Sequence, residues 1–206
     1  SRRQRQMCIR DRDEEIAEGA ASARPRRLDF QRPLFLQQER RLTAAERGTA
    51  MHLVMQYLEL GGPDPEEQVR QLTERRLLTP QQAEAVDMER IRAFLATPLA
   101  QEIRQARQVW REYRFALLMP AALYDPAAEG EELMLQGVVD CAFRTEEGLV
   151  VVDFKTDRLA PGEEPQRAEE YRPQLEAYAQ ALEQVMEEKV CRKVLYFFST
   201  GATINL

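Results

Sequence analysis

Cysteine is scarce in this sequence of 206 residues, and its three cysteines, Cys8, Cys141 and Cys191, are widely spaced without a C-x-x-C pair. This excludes a disulfide scaffold and a four-cysteine zinc or iron–sulfur site built from this chain alone. Long apolar runs are also lacking, since stretches such as Leu149 to Val152 have only the length of a strand, so no transmembrane helix is expected. No secretory leader is recognisable at the start of the chain, and we therefore expect a cytoplasmic protein without membrane contact.

Net positive charge is absent as well, because 29 basic and 35 acidic side chains give a formal net charge of −6. The acidic balance excludes a protein that coats nucleic acid by general electrostatic attraction, but it leaves open a local or metal-neutralised contact with a polyanion. Lysine is rare, with only Lys155, Lys189 and Lys193 among the 29 basic residues. In a chain that prefers arginine, a lysine indicates a specific choice.

The chain divides by composition into an arm and one domain. Residues 1–42 are polar, rich in arginine and without hydrophobic period, which predicts a poorly ordered arm or linker. The first 12 residues resemble translated sequencing-adaptor sequence, which suggests a non-native start. Residues 43–206 are predicted to form the domain, with a helical part over 43–107 and a sheet core over 108–206.

Capping signatures predict four helices in the helical part. Their expected starts are Thr43 with Glu46, Asp64 before a proline, Thr79 before a proline and Thr97 before a proline. Their expected ends are near residues 60, 77, 96 and 106. Glycine, proline and threonine between them mark the turns.

The hydrophobic period then changes to that of strands. Strands are expected at 109–119, 132–143, 149–154 and 190–198, with a hairpin turn at 145–148. A long helix is expected at about 168–188. Its apolar stripe is Tyr171, Leu175, Tyr178, Leu182 and Val185. The order predicts an α/β protein with a mixed central sheet flanked by helices.

Two predicted strands each end in an aspartate. One runs into Asp140, and the next runs into Asp153, with Lys155 two positions further on. Because alternate strand residues share a face, Asp153 and Lys155 point to the same side, and hairpin pairing brings Asp140 beside Asp153.

Neighbouring carboxylates repel each other and are costly to desolvate, and a divalent cation relieves both problems. Hard oxygen ligands favour Mg²⁺ or Mn²⁺. A lysine beside them can orient an attacking water or neutralise charge on a phosphate. The structural alternative is a simple salt bridge between Asp153 and Lys155 at the end of a strand.

His52 is the single histidine and lies in the middle of the first predicted helix. Gly48 and Thr49, four and three residues before it, give this face small side chains and allow another element to approach closely. A glycine inside a helix costs about 1 kcal/mol relative to alanine, so Gly48 indicates a packing or functional requirement. The alternative for His52 is a half-buried residue with a satisfied hydrogen bond.

Three further polar residues are candidates, each with a structural alternative. Gln174 and Tyr178 lie one turn apart on the long helix, where Gln174 could reach a phosphate or Lys155, and Tyr178 fits core packing equally well. Glu112 lies on the first strand of the sheet core, where a cross-strand pair with an arginine is the alternative.

Taken together, these motifs resemble a known family. The runs RGTAMH (47–52), GVVD (137–140), VVDFKTD (151–157) and YRPQLEAY (171–178) resemble the RecB-type branch of the PD-(D/E)xK nucleases. The ending LYFFSTG (195–201) resembles the C-terminus of the AddA-like helicase–nuclease subunits. The resemblance covers about residues 40–206. It implies a restriction-endonuclease-like α/β core preceded by a helical segment.

The resemblance also implies a role for each matching residue. The implied metal ligands are His52, Asp140, Asp153 and the backbone carbonyl of Phe154. The implied catalytic residues are Asp140, Asp153 and Lys155, with Gln174 and Tyr178 completing the site. Glu112 has a less defined accessory role.

The cofactor implied is Mg²⁺ or Mn²⁺, without the iron–sulfur cluster of AddB-type relatives. Because no G-x-x-x-x-G-K-[ST] is present, ATP would be used only by a helicase part upstream of this chain. The implied function is that of an exonuclease acting on single-stranded DNA and DNA ends in double-strand-break repair and recombination. The resemblance further implies an AddB-like partner subunit and a bacterial, nucleoid-associated location.

Two alternatives stay open. One is a catalytically silent DNA-binding or docking module of a helicase, against which the intact set of His52, Asp140, Asp153 and Lys155 argues. The other is a free-standing PD-(D/E)xK nuclease, against which the AddA-like ending argues.

Overall fold

A computed structural model gives the structure of this chain and describes residues 5–8, 42–123 and 126–206. Within these residues lies a mixed six-stranded sheet with helices on both faces. The predicted α/β class with a mixed central sheet is confirmed.

The sheet is built around two long strands. The strands are β1 (Arg5–Cys8), β2 (Val109–Pro120), β3 (Glu132–Arg144), β4 (Leu149–Lys155), β5 (Val190–Phe197) and β6 (Ala202–Asn205). Their order is β1-β3-β4-β5-β6, and β2 pairs with β3. The pairs β1–β3 and β4–β5 are parallel, and the pairs β2–β3, β3–β4 and β5–β6 are antiparallel. The four predicted strands are present at nearly the predicted positions.

The helices are α1 (Ala44–Tyr57), α2 (Pro65–Glu74), α3 (Pro80–Ala85), α4 (Met88–Leu95), α5 (Pro98–Gln105) and α6 (Glu164–Met186). All four predicted caps are confirmed, because Thr43, Asp64, Thr79 and Thr97 each accept a backbone N–H of the first helical turn. Side-chain capping satisfies donors that a helix start otherwise leaves without partners.

The single helix predicted over 79–96 was wrong, because the structure has two helices there. Val86 takes an extended backbone, with ψ at 128°, and its side chain is buried. Asp87 then caps α4 by accepting the N–H of Arg90. Val86 holds the turn against the core. The polar-apolar pattern of the sequence is continuous here and did not reveal the break.

Three other details differ from prediction. The chain does not end its sheet at β5, because β6 returns antiparallel after a turn in which Gly201 has a φ of +74°. Val185 of the predicted apolar stripe is 44% exposed, since it lies in the last turn of α6. Of the predicted arm, Arg5–Cys8 forms β1 beside β3, and the other residues of 1–41 lie outside the described residues.

The sheet separates two cores. Val150, Val152 and Phe154 point from β4 towards α1–α5, and Leu149 and Val151 point towards α6. On the first face, Phe94 of α4 packs edge-on against Phe154, with ring centroids 5.3 Å apart. No helix within the described residues is both long and apolar enough to cross a membrane.

Candidate active site

The strands β2 and β3 interrupt their regular pairing at Glu112 and Asp140. The ladder pairs the residues on either side of these two acids but passes over the acids themselves. Glu112 has a φ of +48°, a left-handed conformation that is uncommon for a residue with a Cβ. The two acids therefore lie together at a local irregularity of the sheet.

The face that β3 presents changes at this point. Val139 and Ala142 both pack in the core under α6, whereas Cys141 packs with the helices on the opposite face. In a regular strand Val139 and Cys141 would share a face. The change leaves Asp140 between the two cores, where it meets α1.

A group of candidate metal ligands forms there from three elements. His52 of α1, Glu112 of β2 and Asp140 of β3 each place one ligand atom within 4.8 Å of the other two. His52 Nδ1 lies 3.3 Å from Asp140 Oδ1, and the backbone N–H of Phe154 donates to Asp140 Oδ2 at 2.9 Å. The structure thus brings together the two predicted ligands His52 and Asp140 and adds Glu112, which the sequence indicated only as an accessory residue.

These contacts shift the pKa values of both groups. Burial disfavours the imidazolium form of His52, but the Asp140 carboxylate outweighs burial and holds the pKa of His52 above its ordinary value. Burial also opposes ionisation of Asp140, yet His52 and the N–H of Phe154 hold the pKa of Asp140 below its usual range. The pair therefore favours its charged forms.

The approach of α1 to the sheet depends on Gly48. A Cβ at this position would lie 2.9 Å from Oγ1 of Thr156, the residue after β4. The predicted close approach at the small face of α1 is confirmed. It sets His52, one turn further along α1, beside the end of β4.

Asp153 and Lys155 point to the same side of β4, as predicted. Lys155 Nζ lies 2.9 Å from Asp153 Oδ2, and the two side chains are only 7% and 5% exposed, respectively. This ion pair agrees with the structural alternative, and its burial beside the metal-ligand group agrees with the catalytic interpretation. Without metal, Asp153 is compensated by Lys155 and Asp140 by His52, so protein groups offset the repulsion that the sequence predicted between the two acids.

Gln174 and Tyr178 continue this network from α6. Lys155 Nζ donates to Gln174 Oε1 at 2.9 Å, and Gln174 Nε2 donates to the Tyr178 hydroxyl at 3.1 Å. The prediction that Gln174 could reach Lys155 is confirmed. Tyr178 is also a core residue, because it is 2% exposed and packs edge-on against Phe115. Gly137 makes this possible, since a Cβ there would lie 2.8 Å from Phe115 Cζ.

The sequence did not single out Tyr171 as a neighbour of Lys155. Lys155 Nζ lies 3.7 Å from the centroid of the Tyr171 ring. The available signal was spacing, because Tyr171 precedes Gln174 by three residues and so lies on the same face of α6.

The donor set fits a divalent cation. Two carboxylates and an imidazole converge within 4.8 Å, which suits Mn²⁺ and Mg²⁺. Asp153 of β4 is not one of these three residues, but its carboxylate helps to raise the pKa of His52 and so lies within electrostatic reach of it. Ligation by Asp153 and by the backbone carbonyl of Phe154 stays a prediction.

Residues 22–204 match the family described as the PD-(D/E)XK nuclease superfamily. Several curated proteins whose names describe ATP-dependent helicase/nuclease subunits are also similar. The protein of Acetivibrio thermocellus is 44% identical over 179 residues, covering 84% of this chain and 14% of that protein. Those of Heliobacterium modesticaldum and Bacillus velezensis are 40% and 38% identical over 186 and 192 residues, covering 85% and 87% of this chain.

The chain spans between 13% and 16% of the length of these three relatives. The family match, in contrast, covers nearly the whole of this chain and every residue of the group described above. The chain belongs to the PD-(D/E)XK nuclease superfamily.

Proposed function

We propose that this chain is a metal-dependent deoxyribonuclease domain that hydrolyses phosphodiesters of single-stranded DNA. The observation that carries the proposal is the convergence of His52, Glu112 and Asp140 beside the buried pair of Asp153 and Lys155. A group of acids, an imidazole and a lysine at one irregular point of a sheet has the composition that metal-assisted phosphodiester hydrolysis requires.

The metal would be Mg²⁺ or Mn²⁺, held by His52, Asp140 and Glu112, with Asp153 and the backbone carbonyl of Phe154 as further ligands. When bound, such an ion polarises the scissile phosphate and lowers the pKa of a coordinated water. The contact between His52 and Asp140 and the N–H of Phe154 orient both ligands before any ion is present. Orientation of ligands by their neighbours raises metal affinity.

Lys155 supplies the positive point charge of the site. Asp153 and Gln174 both contact its ammonium and so fix its position beside the ligand group, where it can meet a phosphate oxygen or an attacking water. Its burial strengthens any interaction with charge that develops on the phosphate. The hydroxyl of Tyr178 accepts from Gln174 and so fixes the orientation of the amide.

We further propose that this domain is part of a helicase–nuclease complex. The relatives are named as subunits of an ATP-dependent helicase/nuclease, which supports an exonuclease that acts on strands or DNA ends supplied by an ATP-driven helicase part of the same protein. An AddB-like subunit would be the partner, with Mg²⁺ in the nuclease and ATP used only by the helicase. The role would be double-strand-break repair and recombination in the bacterial cytoplasm, at the nucleoid.

The direct test is cleavage of end-labelled single-stranded DNA by the purified chain, followed on gels. We expect cleavage with Mg²⁺ or Mn²⁺, none with EDTA, and none in Lys155→Ala. A lysine cannot ligate metal while charged, so Lys155→Ala should bind Mn²⁺ as the wild type does. Undiminished cleavage in EDTA would contradict the metal mechanism.

The same assay tests the first of the two alternatives. A silent DNA-binding or docking module would bind labelled DNA without cutting it at any metal concentration. The completeness of the group of acids, histidine and lysine favours an active enzyme, because a silent module has no need of a buried charged cluster that costs folding free energy. A free-standing nuclease would cut DNA in the same way but would have no helicase part.

A further inference from the structure

Tyr171 of α6 forms one wall of the space around Lys155. The ammonium has Asp153 Oδ2 at 2.9 Å, Gln174 Oε1 at 2.9 Å and the centre of the Tyr171 ring at 3.7 Å. The Asp153 carboxylate holds the ammonium as an ion pair, the Gln174 amide oxygen accepts a hydrogen bond from it, and the flat ring limits how far the ammonium can move towards α6. Attraction between a cation and a ring face is strongest where water is excluded, and Lys155 is 7% exposed.

The Tyr171 ring is itself held in place. Its hydroxyl donates to Asp157, with both carboxylate oxygens at 3.0 Å, and Asp157 accepts from Arg167 at 2.7 Å. Arg167 lies one turn before Tyr171 and its guanidinium stands 5.0 Å from the ring centroid. Burial raises the pKa of the Tyr171 phenol, so the hydroxyl stays a donor.

This network joins the chain segment after β4 to α6. Asp157 follows Lys155 by two residues, and Tyr171 and Arg167 both belong to α6. The network therefore fixes the ring relative to the backbone that carries Lys155. A purely structural clamp would need the ion pair of Asp157 and Arg167 but would not need an aromatic ring under the lysine.

We propose that Tyr171, held by Asp157 and Arg167, is a positioning residue that fixes the height of the Lys155 ammonium above α6. This inference rests on the role proposed above for Lys155. Its consequence is that loss of the aromatic ring lowers the rate of cleavage much more than loss of the hydroxyl, which only anchors the ring. Tyr171→Phe keeps the ring, and Tyr171→Leu removes it while keeping an apolar side chain.

The first measurement uses the metal-free chain. The sequence has three lysines, so labelling with [¹³C]lysine gives three ε-methylene NMR signals, and Lys155→Arg assigns that of Lys155. We expect the Lys155 protons to be shifted upfield by the ring current in the wild type and in Tyr171→Phe. In Tyr171→Leu they should move to the positions of Lys189 and Lys193.

The second measurement is the kinetics of cleavage of single-stranded DNA with saturating Mg²⁺. Tyr171→Leu should lower kcat about a hundredfold with little change in KM, the size of effect expected when a reacting group is misplaced by about 1 Å. Tyr171→Phe should retain at least about a third of the wild-type kcat. Leu182→Ala is the matched control, because Leu182 is fully buried on the same helix in the other part of the core; it should lower the melting temperature and leave kcat unchanged.

The outcomes separate the two proposals. A wild-type chain that does not cleave would contradict the proposed function, while the lysine signals would still decide whether the ring positions the ammonium. An unshifted Lys155 signal in the wild type, a kcat of Tyr171→Leu within about twofold of wild type, or a Tyr171→Phe as slow as Tyr171→Leu would each overturn the role of Tyr171. If Tyr171→Leu does not fold, Tyr171→Met, which is flexible enough to fill the same space, takes its place.

Discussion

Two contacts hold the carboxylate of Asp140 in the metal-free protein. One oxygen lies against His52 and the other accepts the N–H of Phe154. Both contacts keep the carboxylate ionised and fix its direction. A divalent cation can therefore bind without the rotation of this side chain, which lowers the entropy cost of binding.

We predict that Asp140→Asn removes most of the stabilisation of the chain by metal. A ligand that binds only the folded state adds about 2.7 kcal/mol of stability at one hundred times its Kd, and the loss of a charged ligand removes most of this gain. Thermal melts with and without Mn²⁺ measure it. Cleavage should fall about a thousandfold in parallel.

Glu102→Gln is the control for this experiment. Glu102 lies on α5 and pairs with Arg192, and its substitution removes the same charge as Asp140→Asn. Its metal-dependent increase in melting temperature should equal that of the wild type. An equal increase in Asp140→Asn would mean that the ion binds elsewhere on the chain.

Glu112 shows what local sequence cannot reveal at the scale of a residue. Nothing in its neighbours predicts a φ of +48°, because a glutamate inside a strand normally takes an extended backbone. The left-handed conformation costs about 1–2 kcal/mol and is maintained by the pairing of β2 with β3 before and after Glu112. It is this backbone turn, set by the whole sheet, that accompanies the placement of the carboxylate beside His52 and Asp140.

The helix α1, which carries His52, approaches the sheet closely at Gly48. Gly48 would meet Thr156 Oγ1 at 2.9 Å if it had a Cβ, so helix and strand end can approach only because the side chain is missing. Alanine in a helix is favoured over glycine by about 1 kcal/mol. At Gly48 this gain is opposed by the contact with Thr156.

We predict that the effect of Gly48→Ala depends on residue 156. In the wild-type background, Gly48→Ala should be neutral or destabilising, whereas in a Thr156→Ala background it should stabilise by about 1 kcal/mol. A double-mutant cycle by urea denaturation measures the difference. Equal effects in the two backgrounds would show that Thr156 turns away at no cost and that the contact does not set the position of α1.

At the scale of elements, the sequence predicted what depends on local chemistry. Caps such as Thr43 and Thr97 were found because a hydroxyl that accepts a backbone N–H is a local signal. The break between α3 and α4 was missed because it depends on Val86 packing in the core. The strand β6 was missed although it pairs with the neighbouring β5, because its four residues carry little hydrophobic pattern. The paired register of the predicted hairpin ends at Cys141 and Val152, and beyond it Asp140 accepts the N–H of Phe154, so the placement of Asp140 beside Asp153 stays a prediction.

For the candidate site as well, the sequence predicted residues better than the contacts between them. The residues on strand ends and helix faces could be chosen from spacing, because β4 and α6 present them at regular intervals. The contact of Tyr171 with Lys155 was missed although Tyr171 shares a face of α6 with Gln174, and Thr156 was not predicted as the residue that Gly48 approaches. Tertiary packing decides such contacts, and a single sequence carries little signal for it.

At the scale of the whole molecule, the candidate ligands come from the N-terminal helices and from the sheet. His52 belongs to α1, which packs with the other N-terminal helices on one face of the sheet, while Glu112 and Asp140 belong to the sheet itself. An ion held by all three would link the helical layer to the sheet. The helix α6 lies on the opposite face and supplies Gln174 and Tyr178 but none of these three ligands.

We therefore predict that metal changes protection from hydrogen exchange unevenly. Local opening of α1 must release His52, so binding of Mn²⁺ should slow amide exchange in α1 by more than tenfold, about the effect of 1.4 kcal/mol of local stabilisation. The helix α4 is the internal control, because it packs in the same core but carries none of the three candidate ligands, and it should change little. In His52→Ala, the extra protection of α1 should vanish while some protection around Asp140 is retained. Equal protection of α1 and α4 in the wild type would mean that the ion stabilises the fold as a whole and is not bound through His52.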